Sequence, residues 1–291
     1  MSKSTLRCFN KSIYDLMGRY RNDFSHTTFN DRTRRLVAMG EELSQLGFTP
    51  QDIANIKQKH VDKLVGHWKE NSVSIGSIKN RMSDLRFICK KLNRQAVVKP
   101  NDDYHIGKRS YIPENNKAIH SPNFDGITDE YIKCSVELQR VFGLRREECL
   151  KIIPSQADND NLLRLQASWT KGGIERTIPI RTDEQRYWLN KAKILAGDNG
   201  SLIPEKKSYI QQRRYYDRVT QEAGLKNLHG LRHAYAQQRY TEITGNQPPI
   251  NGGRSRSELS IDERRVDQAA RKKIASELGH SRAAIAKNYI G

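Results

Sequence analysis

The stretch His229-Gly230-Leu231-Arg232-His233 decides how this chain is interpreted, because it opens a helix with three polar side chains together. Residues at positions i, i+3 and i+4 share one helical face, so the two histidines flank the arginine. The dipole and the free N–H groups of a helix N-terminus favour an anion at the same place. Two histidines four residues apart also suit zinc, but Gly230 stands where a zinc protease needs glutamate and no third ligand stands out. A capping histidine beside a surface arginine is the remaining alternative for this stretch alone.

Two segments upstream contain further candidate side chains. Gly143 ends a predicted helix, and Arg145 and Glu148 follow it three residues apart on one helical face. Such a pair in isolation is typical of a structural ion pair. Lys171 lies in the predicted hairpin turn 169–173, where its compact ammonium can reach a cleft and donate a proton if its pKa is lowered. In isolation a turn lysine is simply exposed.

One segment downstream completes the set. Leu278-Gly279-His280 ends a predicted helix, and Tyr289 follows the histidine nine residues later. By themselves these residues indicate no more than a helix-end histidine and an aromatic anchor. Their interest lies in their order relative to the segments upstream.

The net charge favours a polyanionic partner. The 291 residues include 51 Lys and Arg against 33 Asp and Glu, for a formal charge of +18. Residues 1–108 hold 20 basic and 11 acidic side chains, and residues 109–291 hold 31 and 22, so each part carries +9. Because every neutralised phosphate releases counterions, this distribution favours nucleic acid. A solvated surface that only keeps the protein in solution is the alternative.

The composition argues against membrane and secreted proteins. No run approaches the ~18 apolar residues that span a bilayer, and the first residues, MSKSTLRCFNKSIYDL, lack the apolar stretch of a signal peptide. The four cysteines, Cys8, Cys89, Cys134 and Cys149, form no C-x-x-C pair. They predict reduced, buried thiols and a cytoplasmic location.

Residues 1–100 are predicted to form an all-helical domain. Apolar residues recur at helical spacing in Thr28–Gly47, His60–Glu70 and Ser74–Asn93. The last of these helices has a basic side of the kind that lies along a phosphate backbone, although solvated side chains are the alternative. Its candidate DNA-binding residues are Lys79, Arg81, Arg86, Lys90 and Lys91. Turn and extended signals then predict a linker over residues 101–126.

Residues 127–291 are predicted to mix helices with a small antiparallel sheet, which makes the whole chain mainly α. Strands are expected at Leu162–Ser168 and Glu175–Ile180, joined by the Lys171 turn, and helices before and after them. The segment Asn246–Ser257, with its paired prolines and glycines, is expected to be a flexible excursion. Asp158 and Asp160 are expected to lie solvated in a turn.

In this order and spacing the segments resemble the tyrosine recombinase (phage-type integrase) family. That family carries an arginine in a G-x-R-x-x-E context, a hairpin lysine, an H-x-x-R-H box, an L-G-H turn and a tyrosine nine residues beyond that last histidine. The corresponding stretches here are FGLRREE, WTKGGIERTIPI, HGLRH, LGHSR and NYIG, within about residues 128–291. The resemblance implies an α+β catalytic domain at 127–291 and a helical DNA core-binding domain before it.

The resemblance also implies a reaction and the residues that perform it. Tyr289 would attack a DNA phosphate to give a 3′-phosphotyrosine and a free 5′-hydroxyl. Arg145 and Arg232 would clamp the non-bridging oxygens with planar donors, and His280 would add a hydrogen bond. His229 would support the phosphate and manage the tyrosine proton.

The remaining residues have implied supporting roles in the reaction. Lys171 would protonate the departing 5′-oxygen, Glu148 would buttress Arg145 or His229, and His233 would serve packing. No metal, other cofactor or ATP is implied, because the guanidinium and imidazole groups supply the positive field. Paired carboxylates for magnesium, the other common strategy, do not form a cluster in the sequence.

The implied partners follow from that reaction. They are double-stranded DNA at specific attachment or core sites, further copies of the chain in a homotetramer, and an accessory directionality factor, at the nucleoid. The sequence departs from the family in two ways. The interval from His233 to His280 is 47 residues, longer than expected for the family. Two residues follow Tyr289, which puts in doubt the common contact in which a C-terminal tail docks on a neighbouring protomer. A type IB-like DNA topoisomerase and a non-catalytic DNA-binding regulator remain the alternative functions.

Overall fold

The computed structural model describes residues 3–291, with side chains from Ser4 onward. The chain forms two compact units, and the boundary between them falls between Arg109 and Ser110, inside the segment predicted as a linker. Much of that segment is packed: Tyr104 and Ile106 are buried in the core of the first unit, and Phe124 is buried in that of the second.

The first unit is helical, as its sequence periodicity predicts. Its α-helices are α1 (Lys3–Arg19), α2 (His26–Gln45), α3 (Gln58–Glu70) and α4 (Ile75–Lys91). Ser25 and Ser74 accept hydrogen bonds from the first turns of α2 and α4, which sets where these helices begin. At Gly40 an added Cβ would lie 2.7 Å from the Phe9 ring, so glycine lets α1 and α2 approach closely.

The second unit combines helices with a three-stranded antiparallel sheet, so the predicted fold class is confirmed. Its helices are α5 (Glu130–Phe142), α6 (Arg146–Lys151), α7 (Pro154–Ala157), α8 (Asp183–Ala196), α9 (Tyr209–Glu222), α10 (His229–Thr244), α11 (Ile261–Glu277) and α12 (Lys287–Ile290). The strands are β1 (Asp158–Asn159), β2 (Leu162–Leu165) and β3 (Arg176–Pro179), in the order β1-β2-β3.

The sheet differs from the prediction in its extent. Both predicted strands are shorter than expected, and the first ends early because Ala167–Trp169 turns into a 3-10 helix before the hairpin loop. The expected solvated turn at Asp158 is wrong: Asp158 belongs to β1, and its carboxylate binds Arg186 at 2.8 Å and Lys193 at 2.8 Å. Two ion pairs thus hold this carboxylate against α8.

Gly143 shapes the centre of the second unit. It ends α5 with φ of +63°, and a Cβ there would lie 2.6 Å from the Tyr235 ring on α10. Glycine is therefore required both by the left-handed backbone and by the close approach of α10. The turn leaves the Gly143 carbonyl directed at α10.

The cysteines are free, and three of them, Cys89, Cys134 and Cys149, are buried as expected. Cys8 is exposed on α1, so the prediction that all four are buried is wrong for this residue. Within residues 3–291, no helix has the length and apolar character needed to cross a membrane.

Candidate active site

Arg232 lies at the centre of the candidate site. It is 0% exposed on α10, and its Nη1 and Nη2 donate to the carbonyls of Gly143 and Leu278. Its Nε donates to the Tyr289 hydroxyl at 3.4 Å. Burial lowers the pKa of Arg232 to about 10, with Arg145 contributing further, so the group stays charged at neutral pH. Two backbone carbonyls and a phenol therefore fix one guanidinium.

Tyr289 is held between this arginine and a histidine. The phenol ring is 5% exposed, and its hydroxyl lies 3.0 Å from Nε2 of His280. The ring of His233 lies 4.7 Å from it between centroids, and that of His229 lies 6.3 Å away. The short helix α12 thus places the phenol beside three imidazoles and one guanidinium.

Glu148 joins two further arginines to the site. Its carboxylate is 0% exposed, accepts from Arg145 Nη1 at 2.7 Å and binds Arg176 at 2.6 and 3.0 Å. Burial alone would raise the pKa of Glu148, but the hydrogen bonds and charge of Arg176, with the charge of Arg145, lower it to about 2. Arg176 in turn donates through Nε to the Glu277 carbonyl at 2.9 Å. The carboxylate therefore stays ionised and orients two guanidiniums.

The histidines of the site have lowered pKa values. Burial, followed by the nearby charges of Arg232 and Arg145, lowers the pKa of His280 to about 4. Burial and then His229 lower that of His233 to about 4, and its Nδ1 has no hydrogen-bond partner within residues 3–291. The pKa of His229 is lowered by partial desolvation and then by Arg232. All three rings are therefore neutral at pH 7, able to donate one hydrogen bond and accept another.

Comparison with known families agrees with this architecture. The model described as "Phage integrase, N-terminal" matches residues 16–98, and the model described as "Integrase" matches residues 111–238. The two integrase models lie side by side and together span most of the sequence. The chain belongs to the tyrosine recombinase family. No curated protein sequence matches the chain.

Solved structures share the fold of this tyrosine recombinase. A lambda integrase dimer bound to a COC′ core site is 16% identical, with a TM-score of 0.59 over 96% of this chain and 95% of that one. XerH recombinase in a post-cleavage complex with a palindromic difH substrate is 16% identical, with a TM-score of 0.57 over 97% and 81%. The Tn1549 transposon integrase in complex with transposon right end DNA is 13% identical, with a TM-score of 0.53 over 96% and 95%.

The recombinase structure gathers residues from all five motif segments but leaves Lys171 outside, since its segment contributes Arg176 instead. Lys171 is exposed on the loop between β2 and β3, and its ammonium has no hydrogen bond or ion pair within residues 3–291. Gly172 and Gly173 follow it with φ of +89° and +67°, a backbone that disfavours other residues. The loop therefore presents an unengaged lysine.

The basic side of α4 is partly occupied by contacts within the first unit. Arg81 binds Glu42 at 2.7 Å, and Arg86 donates to the Lys99 carbonyl at 2.8 Å. Lys91 binds Asp23 at 3.1 Å. Of the five candidates on this helix, Lys79 and Lys90 have no such partner among the described residues.

Arg176 is the residue of the site that sequence analysis missed. The hairpin lysine and the H-x-x-R-H box are recognised as motif residues, whereas Arg176 follows Lys171 in the same stretch as an ordinary strand residue. The usable signal was strand alternation, since Arg176 and Ile178 share the buried face of β3. A buried arginine at such a position needs a carboxylate, and Glu148 supplies it.

Replacing Glu148 by glutamine is expected to lower the free energy of unfolding by about 3 kcal/mol at neutral pH. The reason is that Arg176 and Arg145 lose the carboxylate that offsets their charges. Because the pKa of Glu148 falls from about 4.5 to about 2 on folding, its stabilisation is present above pH 4.5 and is lost as the pH falls toward 2. Urea unfolding at pH values from 7 to 3 measures the difference between variant and wild type.

The matched control is Glu147→Gln, since Glu147 is a partly exposed neighbour bonded to Lys151. It should change the free energy of unfolding by less than about 0.5–1 kcal/mol. A difference for Glu148→Gln that stayed constant from pH 4.5 down to pH 3 would contradict the linkage argument.

Proposed function

We propose that this recombinase cleaves and rejoins double-stranded DNA at specific sites through a 3′-phosphotyrosine on Tyr289. The observation that carries the proposal is the position of the phenol oxygen. It lies 3.0 Å from His280 Nε2 and 3.4 Å from Arg232 Nε, two donors suited to a phosphate. A phosphate bound by the same donors would lie beside the nucleophile.

The proposed transfer conserves bonds. The Tyr289 oxygen attacks phosphorus, the P–O bond to the 5′-oxygen breaks, and the free 5′-hydroxyl of another strand later attacks the phosphotyrosine in reverse. One phosphodiester is exchanged for one phosphotyrosine ester, so the step needs no ATP. Arg145 and Arg232 stabilise the charge on the non-bridging oxygens, and Glu148 keeps Arg145 oriented.

One proton passes from the phenol to a neutral histidine, and another reaches the 5′-oxygen from the Lys171 ammonium. His229 supports the phosphate and takes the phenol proton, for which its lowered pKa leaves a free ring nitrogen. His280 holds the hydroxyl before DNA binds and donates to the phosphate afterwards. Lys171 swings in from its loop and protonates the 5′-oxygen. His233 packs against the phenol ring. We propose no metal or cofactor for these steps.

The proposed substrate is DNA that the two units bind together as core-binding and catalytic domains. Support comes from the charge of +18 and from the relatives of the same fold, whose solved structures contain a core site, transposon end DNA or difH DNA. Lys79 and Lys90 are the candidates on α4 with the fewest competing contacts. Strand exchange between two sites requires paired duplexes, so we propose a homotetramer on DNA, with an accessory factor setting direction, at the nucleoid.

The test is a nicked suicide duplex that carries the recombination site. Cleavage near the nick releases a short strand, so the covalent intermediate accumulates and survives denaturation. The expected result is a protein–DNA adduct mapped to Tyr289, together with exchange between two labelled duplexes. A monomer that relaxes supercoils without exchanging strands would instead indicate a type IB-like topoisomerase, and DNA binding without any adduct would indicate a regulator.

Replacing Lys171 by alanine is expected to slow cleavage by about 10²- to 10⁴-fold, the usual contribution of a general acid. A substrate with sulfur in place of the bridging 5′-oxygen should restore most of the rate. A thiolate leaves without a proton, because the pKa of a thiol is only about 8.5. Single-turnover adduct formation on the two substrates measures the rescue.

Lys206→Ala is the control, since it removes the same charge from another exposed loop. It should cleave both substrates at the wild-type rate. An equal loss of rate on both substrates for Lys171→Ala would argue that the lysine acts only through charge.

A further inference from the structure

The main chain of Tyr289 is fixed by a side chain outside the motifs. Gln237 on α10 is 1% exposed, and its Nε2 donates to the Tyr289 carbonyl at 2.9 Å. The same amide nitrogen donates to Asn116 Oδ1 at 2.8 Å. Both of its N–H groups are therefore used, one of them on the residue that carries the proposed nucleophile.

The oxygen of the Gln237 amide is the meeting point of three other side chains. Asn116 Nδ2 lies 3.2 Å away, Asn251 Nδ2 lies 3.1 Å away, and His120 Nε2 lies 3.0 Å away. Asn116 and Asn251 also bond to each other at 2.6 Å. One buried amide thus links α12 to the segment before α5 and to the loop after α10.

The loop after α10 also contacts α12 directly. A Cβ on Gly291 would lie 2.9 Å from the Ile250 nitrogen and 3.0 Å from Pro249 Cβ, so the backbones are in close contact. Pro249–Asn251 forms a 3-10 helix, and its C-cap Gly252 has φ of +82°. This part of Asn246–Ser257, which was expected to be a flexible excursion, packs against α12.

A second set of hydrogen bonds connects α12 to α11. Arg271 Nη1 donates to the Gly291 carbonyl at 2.8 Å, and Arg271 Nε is fixed by Asp267 at 2.8 Å. Asp267 is buried and accepts from the Tyr240 hydroxyl at 2.9 Å. The short helix is therefore held at two carbonyls, those of Tyr289 and Gly291, by side chains of its own chain.

We infer that Gln237 is a positioning residue for the strand-transfer reaction: it fixes the Tyr289 backbone, and the Pro248–Gly253 loop supports it through Asn251. The inference rests on the proposed role of Tyr289 as nucleophile. An attacking atom must lie close to phosphorus and in line with the leaving group, and a displacement of about 1 Å can cost about 10²-fold in rate. A four-residue helix has too few internal hydrogen bonds to fix its own position.

The test compares Gln237→Met with Gln238→Met. Methionine keeps the length and volume of glutamine but removes the amide. Gln238 is the exposed neighbour, and among the described residues its amide bonds only Glu242. Adduct formation is followed in a single turnover at saturating suicide duplex, together with DNA affinity. Gln237→Met is expected to slow the rate constant about 10- to 100-fold at full amplitude and unchanged affinity, and Gln238→Met to match wild type.

The amplitude of adduct formation distinguishes a positioning role of Gln237 from general damage to the fold. A misfolded fraction lowers the amount of adduct formed and leaves the rate constant of the remaining molecules unchanged. A lower amount of adduct with an unchanged rate constant in Gln237→Met would overturn the positioning role. Wild-type kinetics in this variant would overturn it as well.

A second variant keeps the test open if Gln237→Met folds poorly. Asn251 is exposed, so Asn251→Ala leaves the core intact while removing one support of the Gln237 amide. We expect a smaller slowing, about 3- to 10-fold, again at full amplitude. Wild-type rates in Asn251→Ala, measured alongside a poorly folded Gln237→Met, would overturn the inference, whereas absence of any adduct on Tyr289 in wild type would overturn the proposed function itself.

Discussion

Replacing Tyr289 by phenylalanine is expected to abolish the covalent protein–DNA adduct while leaving DNA affinity nearly intact. The ring is 5% exposed and packs beside His233, and phenylalanine preserves that packing. The variant loses the hydroxyl and its hydrogen bonds to His280 and Arg232, at a cost of about 1 kcal/mol each in the free energy of unfolding. No other group in the chain is proposed to attack phosphorus, so the loss of adduct should be complete.

The measurement is denaturing electrophoresis of labelled suicide duplex, with affinity measured separately by fluorescence anisotropy. Tyr216→Phe is the matched control: Tyr216 is a buried tyrosine of the same unit, and its hydroxyl makes one weak bond of 3.5 Å to Gln139. It should form adduct at the wild-type rate. An adduct trapped by Tyr289→Phe would remove the nucleophile assignment.

The Arg232→Lys variant is expected to lose at least about 10²- to 10³-fold in cleavage rate, the usual effect of removing one donor to developing charge. The guanidinium spans the Gly143 carbonyl, the Leu278 carbonyl and the Tyr289 hydroxyl at once, and a lysine ammonium cannot reach all three from one point. Burial lowers the pKa of Arg232 to about 10, and the same burial acting on an ammonium that starts near 10.4 weakens its charge.

Arg239→Lys is the control for this prediction. Arg239 is a buried arginine two turns further along α10, and its guanidinium binds Glu277 at 3.1 Å instead of the phenol. Circular dichroism and the unfolding midpoint should show that both variants fold, and only Arg232→Lys should fail in single-turnover cleavage. Cleavage by Arg232→Lys at the wild-type rate would count against the clamp.

The sequence predicted the fold class because its signals are local. Apolar periodicity located α2, α3 and α4 to within two residues, and the helix end at Gly143 is read directly from residue type. The packing of Asn246–Ser257 and of residues 101–126 was missed because it depends on partners distant in sequence. Paired glycines and prolines indicate a turn but do not show what the turn packs against.

In the candidate site too, local features were predicted and contacts between distant residues were not. Its motif residues could be named from their order along the chain, whereas their mutual geometry could not. Gln237 lies outside every motif stretch, and Arg176 lies in the Lys171 stretch but is not its motif residue. Each has a role only because the fold brings Glu148 or Tyr289 within hydrogen-bond distance. The lysine of the hairpin is the opposite case, since the sequence names it and the structure leaves it exposed.

The two backbone carbonyls that hold Arg232 affect which positions around the site can accept substitutions. Both belong to helix ends, at Gly143 and at Leu278 before Gly279, where glycine turns the backbone inward. Peptide groups are common to every residue, so substitution of the surrounding side chains leaves these acceptors in place. Random mutagenesis scored by strand exchange should therefore find the two glycines intolerant, while many of their neighbours accept other residues of similar size.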